Sequence, residues 1–302
     1  MNEGAGPRTL RPILCAGRLY CDLVMGGLCA PPLPGQEVYA SSLALTAGGG
    51  AYITAAYLAA LGCSVTLACT IPAEPFAGAI AAELAAAALD LSACCHAAAG
   101  AEPQITVAMI AGGDRAFVTR RSGPAFPDGL ETLIASGRFG HLHIGELASL
   151  ADAPGISTAA KAVGMTVSSD CAWDAEVLAR SDLVQLLRGV DVFLPNQAEA
   201  DALALHAPIA DHAPLVVVKR GAAGAEAVFG SKRLHRPPQP TPVVDTVGAG
   251  DAFNAGFLLL WLQGADLGDC LDAGAATAAV ALARQGGARG LGRLPRPRPT
   301  AQ

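Results

Sequence analysis

With 302 residues, 52% of them hydrophobic and 15% charged, the chain is long enough for one large α/β domain and too apolar for general disorder. A formal net charge of −6 without long runs argues against a nucleic-acid partner, since phosphate binding wants a basic patch. No apolar run reaches about 18 residues without a polar break, so no membrane span is expected. The nine cysteines, odd in number and lacking CxxC spacing, read as reduced, buried thiols of a cytoplasmic protein rather than a disulfide framework or a metal motif.

In chain order, "MNEGAGPRTLRP" has no apolar core of signal-peptide type, so residues 1–11 are expected to form a flexible tail. "PILCAG", "SVTLACT", "HLHIGE", "MTVSSD", "DVFLPN" and "PLVVVKRG" are short apolar runs expected as buried strands. Between them, helices are expected near 50–61, 76–89, 154–163, 175–188, 197–206, 251–263 and 271–285. This βαβ rhythm predicts a mainly parallel sheet covered on both faces, with ligands beyond the carboxyl ends of its strands.

Segments 35–49 and 103–121 break the rhythm. They read as hairpin-forming strands without intervening helices, and "GGD" reads as the turn of the second. They predict a small sheet projecting as a lid over the site. The lid is an insertion, so residues 1–302 are expected to be a single domain, and the Pro/Arg-rich stretch 293–302 a second flexible tail.

The stretch "PVVDTVGAGDAFNAGFLLLWL" carries the strongest chemical signal. A glycine-rich turn entering a helix aims several N–H groups at one point, and the helix dipole adds positive potential there. Gly248, Ala249 and Gly250 could form a nest for an oxyanion or a transferring phosphoryl group. Asp251, at the first turn, makes sense as the base that takes a proton from an attacking nucleophile. A helix cap alone would not require glycine at both 248 and 250, nor a second acid at Asp245.

"DTVGAGDAF" closely resembles the DTxGAGD signature of the ribokinase-like (PfkB) carbohydrate kinase family, and the resemblance runs over nearly the whole chain. It implies a ribokinase-like three-layer α/β/α sandwich with a mainly parallel central sheet and a small β-sheet lid. It also implies ATP and Mg²⁺ as cofactors, Asp251 as catalytic base, and Gly248, Ala249 and Gly250 as the hole for the γ-phosphate. "GRLYCD" resembles the family's first-strand segment, which carries substrate-hydroxyl binding over to Asp22. A carboxylate suits a polyol because it accepts several hydroxyl hydrogen bonds.

"AGGGAYITAAYLAALG" resembles the family's GG signature, in which Gly48 and Gly49 would let the backbone come close to the sugar. Where the family usually has Asn, this chain has Ile53, which donates nothing. That change implies altered hydroxyl specificity, or a transfer of the contact to Tyr52 or Tyr20. "LPNQAEA" resembles the NxxE motif, implying that Asn196 and Glu199 order the water shell of Mg²⁺. The same pair also fits a capping box.

"VVVKRGAAGAEAV" resembles the nucleotide-binding strand and turn, with Gly221 and Gly224 beneath the phosphates and Lys219 or Arg220 touching one. Thr246 joins this nucleotide set. "GAATAAVALARQGG" resembles the segment beside adenine and offers Ala275, Ala276 and Gly287. Asp245 is implied to order its loop and is a candidate ligand for a monovalent cation such as K⁺.

At the acceptor end, Glu146 matches a substrate-contacting Glu in some relatives, and Tyr20 is a further substrate candidate. Asp170 ends a strand near the same rim. Arg120 and Arg121 close the second lid arm, where Arg120 is taken as a substrate-binding candidate for an acidic group. His141 and His143 are read as alternating in a strand, so that only one of them can face the site, with a satisfied core histidine the better reading. The implied activity is ATP-dependent transfer of the γ-phosphate to a hydroxymethyl group of a sugar or sugar-like small molecule. Alternatives are a nucleoside kinase, for which Tyr20, Tyr39 and Phe117 are the aromatic candidates, a 2-keto-sugar-acid kinase, and a non-catalytic sugar-binding regulator. A dinucleotide oxidoreductase fails because no GxGxxG follows the first strand. Pairing of lid edges in relatives implies a homodimer as one assembly, with a monomer as the alternative.

Overall fold

The computed structural model describes residues 10–111 and 114–300. Its strands are β1 (Ile13–Ala16), β2 (Tyr20–Leu28), β3 (Ser42–Gly48), β4 (Val65–Ala68), β5 (Thr70–Ile71), β6 (Cys95–His96) and β7 (Ile105–Ala111), followed by β8 (Asp114–Arg120), β9 (His141–Ile144), β10 (Thr166–Asp170), β11 (Val192–Leu194), β12 (Leu215–Lys219), β13 (Ala225–Phe229) and β14 (Lys232–Arg236). Eight of them form the central sheet in the order β14-β13-β12-β11-β10-β9-β1-β4. The pairings from β12 to β4 are parallel, and β13 and β14 extend the sheet antiparallel at one edge.

Because successive side chains of a strand point to opposite faces, each buried strand feeds two cores. In β1, Ile13 and Cys15 join one core, while Leu14 and Ala16 join the other. The first core is closed by the helices Gly50–Ala60, Phe76–Ala86, Ala249–Leu262 and Leu267–Leu282. The second is closed by Leu130–Ala135, Leu147–Asp152, Ile156–Ala162 and Gln197–Leu203. The result is the expected three-layer sandwich. The stretch 175–188, expected as one helix, is two short ones, Ala175–Leu178 and Leu183–Leu186.

The small sheet has the order β3-β2-β7-β8, with β2 antiparallel to β3 and parallel to β7. Its membership differs from the expectation. Segment 35–49 does not make a hairpin by itself: residues 36–40 carry no strand, and β3 pairs back onto β2. Tyr20–Leu28, which carries Asp22, therefore belongs to the lid and not to the central sheet. The second arm does form an antiparallel pair, β7 with β8. Its expected turn at 112–113 lies outside the described residues, as do residues 1–9 of the expected N-terminal tail.

Residues 293–300 have no regular secondary structure. Leu294 N–H donates to Ala60 O at 2.9 Å, and Thr300 N–H donates to Asp269 Oδ2 at 3.0 Å. Among the described residues, no helix is long and apolar enough to cross a membrane.

Candidate active site

The loop before the Ala249–Leu262 helix is folded by Asp245. One carboxylate oxygen accepts from Val247 N–H at 3.0 Å, and the other from Gly286 N–H at 2.9 Å. Gly248 is the N-cap and has φ +74°, a left-handed conformation that favours glycine. A Cβ there would stand 3.0 Å from Gly287 Cα and 3.2 Å from Ile53 Cγ2. The first-turn N–H groups that follow have no carbonyl four residues back inside the helix. Ala249 N–H reaches back to Thr246 O at 3.4 Å, and the Gly250 and Asp251 N–H groups stand at the positive end of the helix dipole.

Asp251 is the third residue of this helix and is closely approached by the helix Gly50–Ala60. A Cβ on Gly50 would lie 3.0 Å from Asp251 Oδ1 and 2.3 Å from Gly145 O. The Thr54 hydroxyl donates to Asp251 O at 3.3 Å. On the lid side, a Cβ on Gly48 would fall 1.9 Å from Asp22 Oδ2. The glycines at 48 and 50 thus let two carboxylates approach one stretch of backbone.

Lys219, at the end of β12, lies within electrostatic reach of Asp251. Its ammonium donates to both oxygens of Asp170 at 2.9 Å and to Asn254 Oδ1 at 3.1 Å. Asn254 Nδ2 in turn donates to Asp170 Oδ2 at 2.6 Å. Burial alone would lower the Lys219 ammonium, but Asp170 and Glu199 hold it above its ordinary value. Burial, reinforced by Asp170, pushes the Asp251 carboxyl up to about 7, with Lys219 pulling the other way. Glu199 is pushed up to about 7 by burial and then by Asp170. Asp22 rises to about 7 through burial, opposed by a hydrogen bond from Thr106.

Asn196 and Glu199 form a complete capping box: Glu199 N–H donates to Asn196 Oδ1 at 3.0 Å, and Asn196 N–H donates to Glu199 Oε2 at 2.7 Å. Asp170, Glu199 and Asp251 therefore act on a single ammonium. Among the described residues no three such side chains are grouped to hold a metal ion directly, so a divalent cation offsetting this negative charge would have to keep its waters.

The nucleotide candidates are arranged less simply. Gly221 (φ +55°) and Gly224 (φ +85°) make the turn between β12 and β13, and a Cβ on Gly224 would stand 2.0 Å from Arg236 O. Lys219 turns inward to Asp170 and not to the rim. Its neighbour Arg220 keeps a buried Nε with no hydrogen-bond partner among the described residues, a vacancy that a phosphate oxygen suits. Thr246 Oγ1 accepts from the guanidinium of Arg115, on lid strand β8. Ala275 and Ala276 are half-buried on the Leu267–Leu282 helix, and Gly287 backs Gly248 and Ile53.

At the acceptor end, Tyr20 OH donates to Glu146 Oε2 at 3.2 Å, and Ser149 Oγ donates to Glu146 Oε1 at 2.9 Å. Burial raises the Glu146 carboxyl. Arg18 Nη1 donates to Gln104 Oε1 and Gly123 O, both at 2.8 Å, and its guanidinium also pairs with Glu146 and Asp152.

Arg120 is not brought to this group. It stands opposite Ile105 in the β7–β8 register, on the face away from Thr106 and Asp22, and pairs with Glu102. Arg121, one residue on, comes near Tyr20 and Glu146 and pairs with Asp174. Strand alternation is the reason. The same rule corrects the reading of His141 and His143: two residues apart, they share a face. Both are buried and bond Ser168 Oγ, at 2.8 and 2.9 Å.

Ile53 packs against Gly248 and Gly287, and Tyr52 lies in the core, so neither takes the place of the missing amide. Tyr39 is exposed and bonds Glu37. Among the participants that went unnoticed in the sequence, Asn254 had a signal, as the lone amide in an apolar helix one turn after Asp251. Arg18, Thr106 and Arg115 had none beyond lying in or beside the lid.

The fold and this site together define a class. The model of the "pfkB family carbohydrate kinase" matches residues 22–291, and the chain belongs to that family. Among its relatives, it is 37% identical over 119 residues to an uncharacterized sugar kinase of Archaeoglobus fulgidus, covering 37% of this chain and 48% of that protein. It is 38% identical over 92 residues to the fructoselysine 6-kinase of Shigella flexneri, covering 30% and 35%. The chain thus matches less than half the length of either relative. Arabidopsis thaliana ribokinase, solved with ribose and ATP, has the same fold: TM-score 0.75, 20% identity, 93% of this chain and 95% of that one.

Proposed function

We propose that the protein transfers the γ-phosphate of ATP to a hydroxymethyl group of a sugar or sugar-like small molecule, with Asp251 as the base. The observation that carries the reading is the closeness of Asp251 to Gly50, next to the Gly48 turn against which Asp22 lies. The acceptor would hydrogen-bond Asp22 and the Gly48–Gly49 backbone, leaving its hydroxyl facing Asp251. Asp251 then takes the proton as the oxygen attacks phosphorus. The first-turn N–H groups after Gly248 would meet the charge on the transferring group.

Mg²⁺, carried through water on Glu199 and Asn196, would supply neutralisation of the phosphate oxygens. Arg220, Thr246 and the Gly221–Gly224 turn would line the nucleotide, and Asp245 would order the anion loop whether or not K⁺ binds beside it. Lys219 keeps Asp170 paired, and Asp251, like Asp22 and Glu199, is pushed up to about 7. The raised Asp251 carboxyl at the first turn after Gly248 supports the kinase over the non-catalytic regulator.

The lid face turned away from Asp22 carries Leu23, Met25, Leu43, Leu45, Val107, Met109 and Val118. Leu43, Leu45 and Val118 are exposed. We assign this face to a second copy of the chain, in keeping with the expected homodimer. A cytoplasmic location fits nine free thiols among the described residues.

The test is ADP release from Mg·ATP across pentoses, hexoses, keto-sugar acids and nucleosides, beside Asp251→Asn. Turnover that the variant loses supports the reading. Release that persists in the variant, or that no acceptor stimulates, overturns it.

A further inference from the structure

Beyond Glu146 the site opens into a cavity of about 630 Å³, lined chiefly by Arg18, Arg121, Trp173, Asp174 and Glu176. It adjoins the acceptor end through Arg18. Arg18 contacts Glu146, Glu146 accepts from Tyr20, and the carbonyl of Arg18 lies 2.4 Å from where a Cβ on Gly49 would stand. Neither Asp22 nor Asp251 lines it, so a free monosaccharide held between those two would not reach its walls.

Trp173 is the anomaly. It is 60% exposed, and among the described residues no other ring stacks on it. The residue before it, Ala172, has φ +53°, a left-handed conformation unfavourable for a side chain with a Cβ. Neither Asn nor Gly stands there to relieve it. Strain retained next to a cavity, and used to present an exposed aromatic face, points to a ligand that stacks.

Beside the indole, Arg121 offers a planar donor fork and Asp174 a carboxylate acceptor, the two paired with each other. Asp174 is further held by Glu176 N–H and Val177 N–H at 3.0 and 3.1 Å. A donor next to an acceptor on a stacking platform complements a heterocycle that presents an amino group beside a ring nitrogen. An anionic acceptor fits worse. Arg18 is taken up by Asp152 and Glu146, Arg121 by Asp174, and Glu176 adds negative charge with no cation left over.

We infer that the acceptor is a nucleoside with a cytosine- or adenine-type base. Its ribosyl group lies at Asp22 and Gly48, its base stacks on Trp173, and the base edge meets Arg121 and Asp174. This rests on the kinase reading above and narrows it to one substrate class, excluding the sugar acids.

The test pairs binding with turnover. Cytidine and adenosine are titrated into the protein while tryptophan emission is followed, with Trp173→Phe as the control that leaves Trp261. Saturable quenching by either nucleoside but not by ribose, lost in the variant, is the expected result. In the ADP-release assay, Trp173→Ala should raise the nucleoside KM at least tenfold, a larger factor than its change in kcat. Asp174→Asn should narrow the preference for the amino-bearing base over uridine.

Absence of quenching overturns the inference, as does a free pentose, hexose, keto-sugar acid or sugar–amino-acid conjugate turned over at least as efficiently as the best nucleoside. Sugar turnover without nucleoside binding would do so while leaving the kinase reading intact. Nucleoside binding without any turnover would support the subsite and remove the kinase reading instead.

Discussion

Lys219 Nζ lies 2.9 Å from each carboxylate oxygen of Asp170, so one buried ammonium is held by both arms of one buried acid. Asn254 closes the triangle, and Glu199 and Asp251 lie within electrostatic reach of the ammonium. The pair thereby sets the charge balance in which Asp251 titrates.

Breaking that pair should be costly. Lys219→Met leaves Asp170 buried without its cation and is expected to lose about 3–5 kcal/mol of stability. The loss is read from chemical denaturation. Since Lys219 also lowers the Asp251 carboxyl, the acid limb of the pH–rate profile should move upward in pH. A limb that stays in place would separate Lys219 from the base.

Replacing the proposed base should act on turnover and on pH dependence together. Asp251→Asn is expected to lower kcat by about 10²–10⁴-fold. With the carboxyl at about 7 in the wild-type protein, kcat/KM should fall below neutral pH as the base becomes protonated.

The stability profile has the opposite sense. Asp22, Glu199 and Asp251 all have folded values near 7, above the unfolded carboxyl range, so the native state binds more protons between the two. Stability should therefore fall as pH rises from about 4 to 7 and level off above. Asp251→Asn should flatten the slope, as thermal melts across that range would show. An unchanged slope would assign the titration elsewhere.

Arg115 joins the lid to the anion loop through Thr246. A hydrogen bond involving a charged group is worth about 1.5–3 kcal/mol. If it positions the loop during transfer, Arg115→Ala should lower kcat by roughly tenfold. Because the residue lies at the surface, stability should change by less than about 0.5 kcal/mol. Unaltered kcat would make the contact incidental.

For the outer lid face, Leu43→Glu puts a charge among apolar side chains. Light scattering after gel filtration should show the mass falling from a dimer to the 30.3 kDa chain. A wild-type protein already at that mass would refute the dimer.

What the sequence revealed was chiefly local. The glycines of "DTVGAGD" and "AGGG" announce close backbone approach within a few residues, and the structure shows the tight spaces they occupy. Parallel strands buried on both faces also announce themselves, as unbroken apolar runs. Tyr20–Leu28 was harder to read as lid, because whether it pairs with Ser42–Gly48 or with the central sheet depends on partners distant in sequence. Arg120 and Arg121 differ by one residue, and only the register of β8 decides which of them faces inward. Trp173 gave no sign at all: its presentation depends on a left-handed alanine, and alanine carries no turn signal.

Asp22 sits on the second strand of the small sheet, not on the layer that carries Asp251. On the proposed function, gripping the acceptor and shutting the cleft would be one motion, like a door whose handle is also its bolt. A molecule offering no hydroxyl to Asp22 would give the door nothing to pull on. The nucleotide would then stay in the open cleft, poorly aligned for attack by water, and discrimination would fall at closure, before any bond to phosphorus is made.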